Sequence, residues 1–182
     1  NYQKQINQDF GFSVAYNFSV IKNKMTELNG VDYIGLSSSE LHGRNFDQET
    51  SRSAVGQPIG SFFVYEADGL FQSDAEIQNY KNDRGELLQP NAKPGDIRFK
   101  DLNGDGVINS DDRDFKGNPL PDCSMGLTLG FNYKNFDVSA FFQGVFGNEV
   151  YNLTNYLGEF YNQAQYNKNS TILDAWRPDN TD

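Results

Sequence analysis

Residues 123 to 146 read CSMGLTLGFNYKNFDVSAFFQGVF, and two alternations meet inside them. Cys123, Met125, Leu127, Leu129, Phe131 and Tyr133 alternate with Ser124, Gly126, Thr128, Gly130 and Asn132. Past Lys134 and Asn135 the phase inverts. Phe136, Val138, Ala140, Phe142 and, less regularly, Phe146 become the apolar set, against Asp137, Ser139 and Gln143. A period of two describes a strand with two unlike faces, and an inversion across two residues describes a tight hairpin turn. That turn pairs Tyr133 with Phe136, Phe131 with Val138, Leu129 with Ala140 and Leu127 with Phe142, all on one face. The other face pairs Asn132 with Asp137 and Gly130 with Ser139, small and polar, with Phe141 intruding. Lys134-Asn135 is a poorer turn dipeptide than Asn-Gly, so the expected register rests on the pattern.

Working outward, DFGFSVAYNFSV (residues 9 to 20) alternates without a break: Phe10, Phe12, Val14, Tyr16, Phe18 and Val20 against Gly11, Ser13, Ala15, Asn17 and Ser19. Soluble strands run to about 5 or 6 residues, whereas a tilted membrane-spanning strand needs about 9 to 11. Residues 21 to 122 then form a connection far beyond the usual loop of about 4 to 6 residues. Inside it, VDYIGL (31 to 36) and SFFVYEADGLF (61 to 71) read as short strands, and Ser73 with Glu76 forms a capping box before a short helix. After the hairpin, helices are expected around Leu153 to Gln165 and Thr171 to Trp176, the second stopped by Pro178. The expected layout is a strand at about 9–24, a loop at about 25–122, the hairpin at 123–146 and a loop with helices at 147–182. Long strands with one apolar face, tiny turns at one end and very long loops at the other belong to an outer-membrane β-barrel. A soluble β-sandwich alternates too.

Composition narrows the functions. Aromatics make up 14% of the 182 residues, a β-type balance, and the formal charge of -10, from 15 basic against 25 acidic residues, argues against nucleic acid or an anionic membrane surface as a partner. Cys123 and His42 are the single cysteine and histidine, so no zinc-type cluster can form. No apolar run approaches the roughly 20 residues of a membrane-spanning helix. The chain opens at Asn1 and stops in a polar stretch at Asp182, which is expected of a segment of something longer.

One motif points to a metal. DLNGDGVINSDD (101 to 112) matches the calcium-loop spacing that places oxygen at positions one, three, five, seven, nine and twelve, with glycine at six. The candidate ligands are Asp101, Asn103, Asp105, the carbonyl of Val107, Asn109 and Asp112, with Gly106 at the turn. All are hard oxygen donors, so calcium is the expected cofactor. Asp at position twelve is shorter than the usual Glu, as in dockerin-type loops. The plain alternative is an Asp- and Asn-rich turn. Gly117, Pro119 and Pro121 follow closely and leave no helix to swing, so the loop is expected to act as a staple and not a switch.

Several stretches together resemble the SusC/RagA-type TonB-dependent outer-membrane transporters. They are FSVAYNFSVIKNKMTEL (12 to 28), VGQPIGSFFVYEADGLFQSDAEI (55 to 77), AKPGDIRFKDLNGDGVINSDDRDFKGNPLPD (92 to 122), YKNFDVSAFFQGVFGNEVYN (133 to 152) and ILDAWRPDN (172 to 180). They come in the family's order, in what would be its C-terminal barrel region. The resemblance implies an all-β fold with minor helices, a segment of a large transmembrane β-barrel with long extracellular loops, in the outer membrane of a Gram-negative bacterium. It also implies nutrient import of glycan or oligopeptide fragments, with TonB and a SusD-like lipoprotein engaged through parts outside this chain. Cys123 would sit on the lipid face, where the family more often has an aromatic.

Two other functions stay open on sequence. A soluble, calcium-stapled carbohydrate-binding module could stack sugars on Tyr151, Tyr156, Tyr161, Tyr166 and Trp176, although aromatics at near-helical spacing also serve as packing surface. A glycosidase would need two carboxylates at a set separation, and no motif singles out such a pair, so an enzyme is not expected. His42 reads as a loop residue, and Arg44, Asp47 and Glu49 as a solvated polar face.

Overall fold

A computed structural model describes residues 1–37, 49–159 and 167–181. In chain order the elements are β1 (Tyr2–Gln5), β2 (Phe10–Val20), β3 (Tyr33–Ser37), β4 (Glu49–Ala54), β5 (Ser61–Tyr65), β6 (Ala67–Leu70), α1 (Asp74–Asn79), β7 (Ile97–Phe99), β8 (Arg113–Phe115), β9 (Cys123–Tyr133), β10 (Phe136–Phe146) and α2 (Leu153–Glu159). The protein is thus mostly β with few helices. It divides into two compact units, residues 1–37, 52–61 and 117–150 in the first and residues 38–51, 62–116 and 151–182 in the second.

The first unit is built on a four-stranded antiparallel sheet in the order β1-β2-β9-β10. All 11 residues of β9 pair on both sides, from Cys123↔Phe146 to Tyr133↔Phe136 on one and from Cys123↔Val20 to Tyr133↔Phe10 on the other. The hairpin register is the one the alternation dictates. No bulge interrupts either ladder, so Phe146 stays in phase with Phe136 across Gly144. Lys134 takes φ +51° at the first turn position, the positive φ that lets the strands meet over two residues. β2 stops at Val20, short of the expected limit near residue 24, and only the Ile21 N–H to Asp122 carbonyl bond (2.9 Å) carries the ladder further.

β1 is not visible in the alternation. It places Tyr2 opposite Val14 and Lys4 opposite Phe12, with Gln3 and Gln5 on the other face. Its turn into β2 is closed by Asn7, whose Oδ1 accepts the amides of Asp9 (2.9 Å) and Phe10 (2.8 Å). This turn lies at the same end as Lys134-Asn135, and the Lys134 N–H donates to the Asp9 carbonyl at 2.7 Å. The 102-residue span from residue 21 to residue 122 leaves from the opposite end.

On the polar face, small residues stand beside larger ones. A Cβ added to Gly130 would lie 2.4 Å from Ser13 Oγ, one added to Gly126 would lie 2.9 Å from Asn17 Nδ2, and one added to Gly11 would meet Gln5 and Asn132. Glycine is therefore the residue that lets adjoining polar side chains lie across the backbone.

In the second unit β5 pairs β8 (Phe63↔Phe115, Val64↔Asp114, Tyr65↔Arg113) and β6 pairs β7 through an irregular register. The run expected as one strand over 61–71 breaks at Glu66. Its carboxylate is drawn to Lys100 and, at 2.8 Å, to Lys116, and those hydrogen bonds, Lys100 first, hold its pKa at about 2. Ser73 caps α1 by accepting the Glu76 N–H (3.3 Å), but Glu76 reaches back to the Gln72 amide (3.0 Å) and not to Ser73. Phe71 and Ile77 are the buried apolar residues of the described chain, with Tyr80 edge-on to Phe71 at 5.6 Å. The helix expected at 171–176 is a 3-10 turn over Ser170–Asp174, whose leading Asn169 makes no side-chain cap. α2 is described only to Glu159, so the rest of the helix expected to reach Gln165 lies outside the described residues.

Gly130→Leu is expected to destabilise the sheet by about 1–3 kcal/mol through the clash with Ser13. Denaturant midpoints of the full-length protein, set against the double variant with Ser13→Gly, should show the loss and its partial rescue.

Candidate functional site

Strand parity carries the apolar face across three long strands. It runs through the even-numbered residues of β2 and β10 and the odd-numbered residues of β9, in register. Much of it is open: Phe136 is 74% exposed, Val138 61% and Phe142 57%, with Tyr16, Phe18 and Tyr133 also more than half exposed. A face of this size outside a core marks a surface meant for an apolar environment. On the opposite face Gln3, Gln5, Ser13, Asn132, Asp137 and Ser139 help line a concavity of about 460 Å³, to which Phe12, Phe131 and Val138 also contribute. Phe141, at 64% exposed, interrupts this surface, as the alternation implies, and Val145, opposite Ser124, is a second exposed apolar side chain on it. Cys123 is a free thiol on the apolar face, half-buried.

The 101–112 loop closes on its own backbone. Asp101 accepts the Gly104 amide at 2.7 Å and the Gly106 amide at 2.9 Å, one on each oxygen. Asp105 Oδ1 accepts the Val107 amide (2.8 Å), and Asn103 Oδ1 accepts the Asp105 amide (2.9 Å). Asp112 is fully buried, its Oδ1 taking the Leu102 amide (2.8 Å) and, more weakly, that of Asn103 (3.4 Å), its Oδ2 the Asn109 amide (2.8 Å). Asn109 and Asp112 form a reciprocal capping box on the short 3-10 turn Ser110–Asp112. Gly106 sits at φ +87° against Asn82, whose Nδ2 donates to the Gly106 carbonyl at 3.1 Å, so any side chain there would be both strained and blocked.

Four of the six expected ligands converge on one spot. Asp105 Oδ2 lies 3.1 Å from Asn103 Nδ2 and 3.4 Å from Asn109 Nδ2, which is also 3.4 Å from the Val107 carbonyl. The Val107 N–H, then the Asn103 amide, hold the Asp105 carboxyl below its ordinary range. The donor set suits a hard cation, which would need both amides to turn an oxygen inward. Asp101 and Asp112 face backbone amides, and among the described residues no group of three or more His, Cys, Asp or Glu side chains gathers as a metal site.

The aromatic candidates do not form a platform. Trp176 packs against Gly95, where a Cβ would come within 2.6 Å of its ring, and its Nε1–H donates to Gln72 Oε1 at 2.7 Å. Tyr151 leans on Phe62 at 6.1 Å between ring centroids. Tyr156 has no described side chain, and Tyr161, Tyr166, His42, Arg44 and Asp47 lie outside the described residues. Glu49 departs from the solvated face expected for it. It is largely covered and lies 3.9 Å from Arg113, which also donates to the Glu49 carbonyl at 3.1 Å. The Glu66 cluster is a site that sequence reading misses, because Lys100 and Lys116 bear no spacing relation to it.

The decisive observation is similarity along nearly the whole chain. Over 175 residues, 96% of its length, it is 38% identical to TonB-dependent receptor P3 of Formosa agariphila. The chain is homologous to a segment of a TonB-dependent receptor. Receptor P26 of the same organism is 36% identical over 94% of the chain, and TonB-dependent receptor SusC of Bacteroides thetaiotaomicron is 29% identical over 80%. No family model matches. Among solved structures, a chain in the structure of the RagAB peptide transporter superposes over 99% of this chain with a TM-score of 0.67 at 19% identity, which shows a shared fold. The homologous segment spans 16% of the length of receptors P3 and P26 and 18% of the RagAB chain. These relatives are receptors and a transporter, not enzymes.

Asp112→Ala removes the acceptor of three backbone amides, and the loop is expected to lose roughly 3 kcal/mol or more of local stability. Limited proteolysis of the full-length receptor should then cut within residues 101–112 well before it cuts the unmodified protein.

Proposed function

We propose that this chain is part of the C-terminal barrel wall of an outer-membrane nutrient importer. The importer takes up glycan or oligopeptide fragments, works with a SusD-like lipoprotein and draws energy through TonB. The reading rests on one observation, the continuous apolar face shared by three strands of 11 residues each. At about 3.4 Å per residue such a strand is roughly 37 Å long. Tilted by about 45° it rises roughly 26 Å, the height of the apolar band of an outer-membrane barrel. The wall faces lipid with its phenylalanines and turns its small, polar surface to the interior. Short turns such as Lys134-Asn135 then lie on the periplasmic side, and the long connection lies outside the cell.

The test is a pair of substitutions on neighbouring residues of opposite parity. Leu129→Arg puts a charge on the lipid face near mid-strand, at an expected cost of about 2–4 kcal/mol, whereas Thr128→Arg on the interior face should be tolerated. The readout is the amount of folded full-length receptor recovered in the outer-membrane fraction. Equal recovery of both variants, or a receptor that stays soluble without detergent, would overturn the reading.

In the same protein the 101–112 loop acts as a calcium staple, with Asn103, Asp105, the Val107 carbonyl and Asn109 around the ion and Asp101 and Asp112 holding the backbone behind it. Calcium at about 100 times its Kd should then stabilise the loop by about 2.7 kcal/mol relative to a chelator. The difference should vanish in Asp105→Asn. Loop proteolysis that is unchanged by calcium would show a loop closed by hydrogen bonds alone.

A further inference from the structure

Charge in the first unit sorts by strand parity. Lys4 lies opposite Phe12 on the apolar face, and Lys22 and Lys24 follow Val20 just past the end of β2. Asp9, Asp122 and Asp137 all carry the parity of the polar face. In a chain of net charge -10 this leaves the apolar face free of carboxylates from end to end, with cations at its margins. At the end from which the long connection leaves, Ile21, Lys22, Asn23, Lys24, Leu120 and Asp122 help line a concavity of about 340 Å³. Both lysines are exposed, and neither makes an ion pair among the described residues. The one carboxylate lining the concavity, that of Asp122, also faces Gly147, where an added Cβ would meet its Oδ2 at 2.3 Å.

We propose that Lys22 and Lys24 bind the phosphate of a lipid headgroup in the leaflet at the loop end of the sheet. The proposal rests on the membrane reading above. Val20, Cys123 and Phe146 are the last members of the apolar face and meet acyl chains. Lys22 and Lys24, on the backbone just beyond the strand end, reach headgroup depth, where an ammonium on a flexible stem meets phosphate. Apolar contact below and cationic contact above select a phosphorylated lipid over a free anion. Asn23 is already committed, its Oδ1 accepting the Ile59 amide at 2.9 Å, so the lysines carry the charge recognition.

The experiment uses the full-length receptor reconstituted into phosphatidylcholine vesicles doped with diphosphorylated lipid A or with its dephosphorylated form. Lipid A retained on the receptor after extraction into detergent is then measured. The unmodified receptor should retain the phosphorylated form preferentially, and Lys22→Gln with Lys24→Gln should lower that retention roughly 10- to 30-fold. Lys22→Arg with Lys24→Arg should restore it, and Lys4→Gln with Lys134→Gln, at the turn end, should leave it unchanged. Undiminished retention in the Lys22/Lys24 double glutamine variant, or equal loss in both glutamine pairs, overturns the proposal. An unmodified receptor that does not enter the vesicles overturns the membrane reading and this proposal with it. A receptor that enters but shows no phosphate preference overturns this proposal alone.

Discussion

Every residue of β9 is paired on both sides, to β2 and to β10, and the rest of the first unit follows from those two uninterrupted ladders. A one-residue slip in either would exchange faces, sending Phe136, Val138 and Phe142 among the polar residues and Asp137 and Ser139 among the apolar ones. Two very different surfaces therefore depend on a single backbone register. Side-chain packing does little to hold it, since the buried apolar residues of the described chain, Phe71 and Ile77, are in the second unit. What favours the register is the cross-strand match of apolar with apolar and of glycine with a larger polar partner, as Gly130 with Ser13 and Gly126 with Asn17. Such a sheet is completed by surroundings that cover its apolar face, and a lipid bilayer is one that needs no second sheet.

The second unit solves its folding problem with polar anchors. Asp112 gathers amides from both limbs of its loop, Glu66 joins two lysines on separate segments, and Gln89 extends β7 by donating to the Ile97 carbonyl (3.1 Å) while accepting the Phe99 amide (2.8 Å). Anchors of this kind suit a region with a small apolar core, because Asp112 and Gln89 satisfy backbone groups that would otherwise need a ladder partner and Glu66 ties separate segments by charge. The second unit can thus hold its loops without a large buried apolar surface.

The long strands and the pairing of β9 with β10 were legible because an alternation sustained over 11 residues has one simple explanation, and its inversion at Lys134-Asn135 locates the turn. The pairing of β2 with β9, by contrast, spans the long connection and leaves no local signal. β1 was not legible either, since Tyr2–Gln5 is short and largely polar and is a strand only because β2 offers it an edge. The break at Glu66 was hidden for a similar reason: it falls where the partner strand changes from β8 to β7, both distant in sequence. In the acidic loop the spacing of oxygens was readable, but their aim was not. Asp112 occupies the position of a terminal ligand, and whether a carboxylate points to an ion or to amides is decided by backbone geometry that spacing does not encode. Trp176 shows the same limit, because its partner Gly95 lies far away in sequence and leaves no periodic trace.

The bond from the Lys134 amide to the Asp9 carbonyl ties the β1–β2 turn to the β9–β10 turn. Its consequence is mechanical. A hairpin whose turn is free can be peeled from a sheet one rung at a time, starting at the tip. Here the two tips are fastened together, so a pull on either turn is shared by both hairpins. Separating the long strands from that end therefore begins with the loss of this bond, which couples the opening of the two turns.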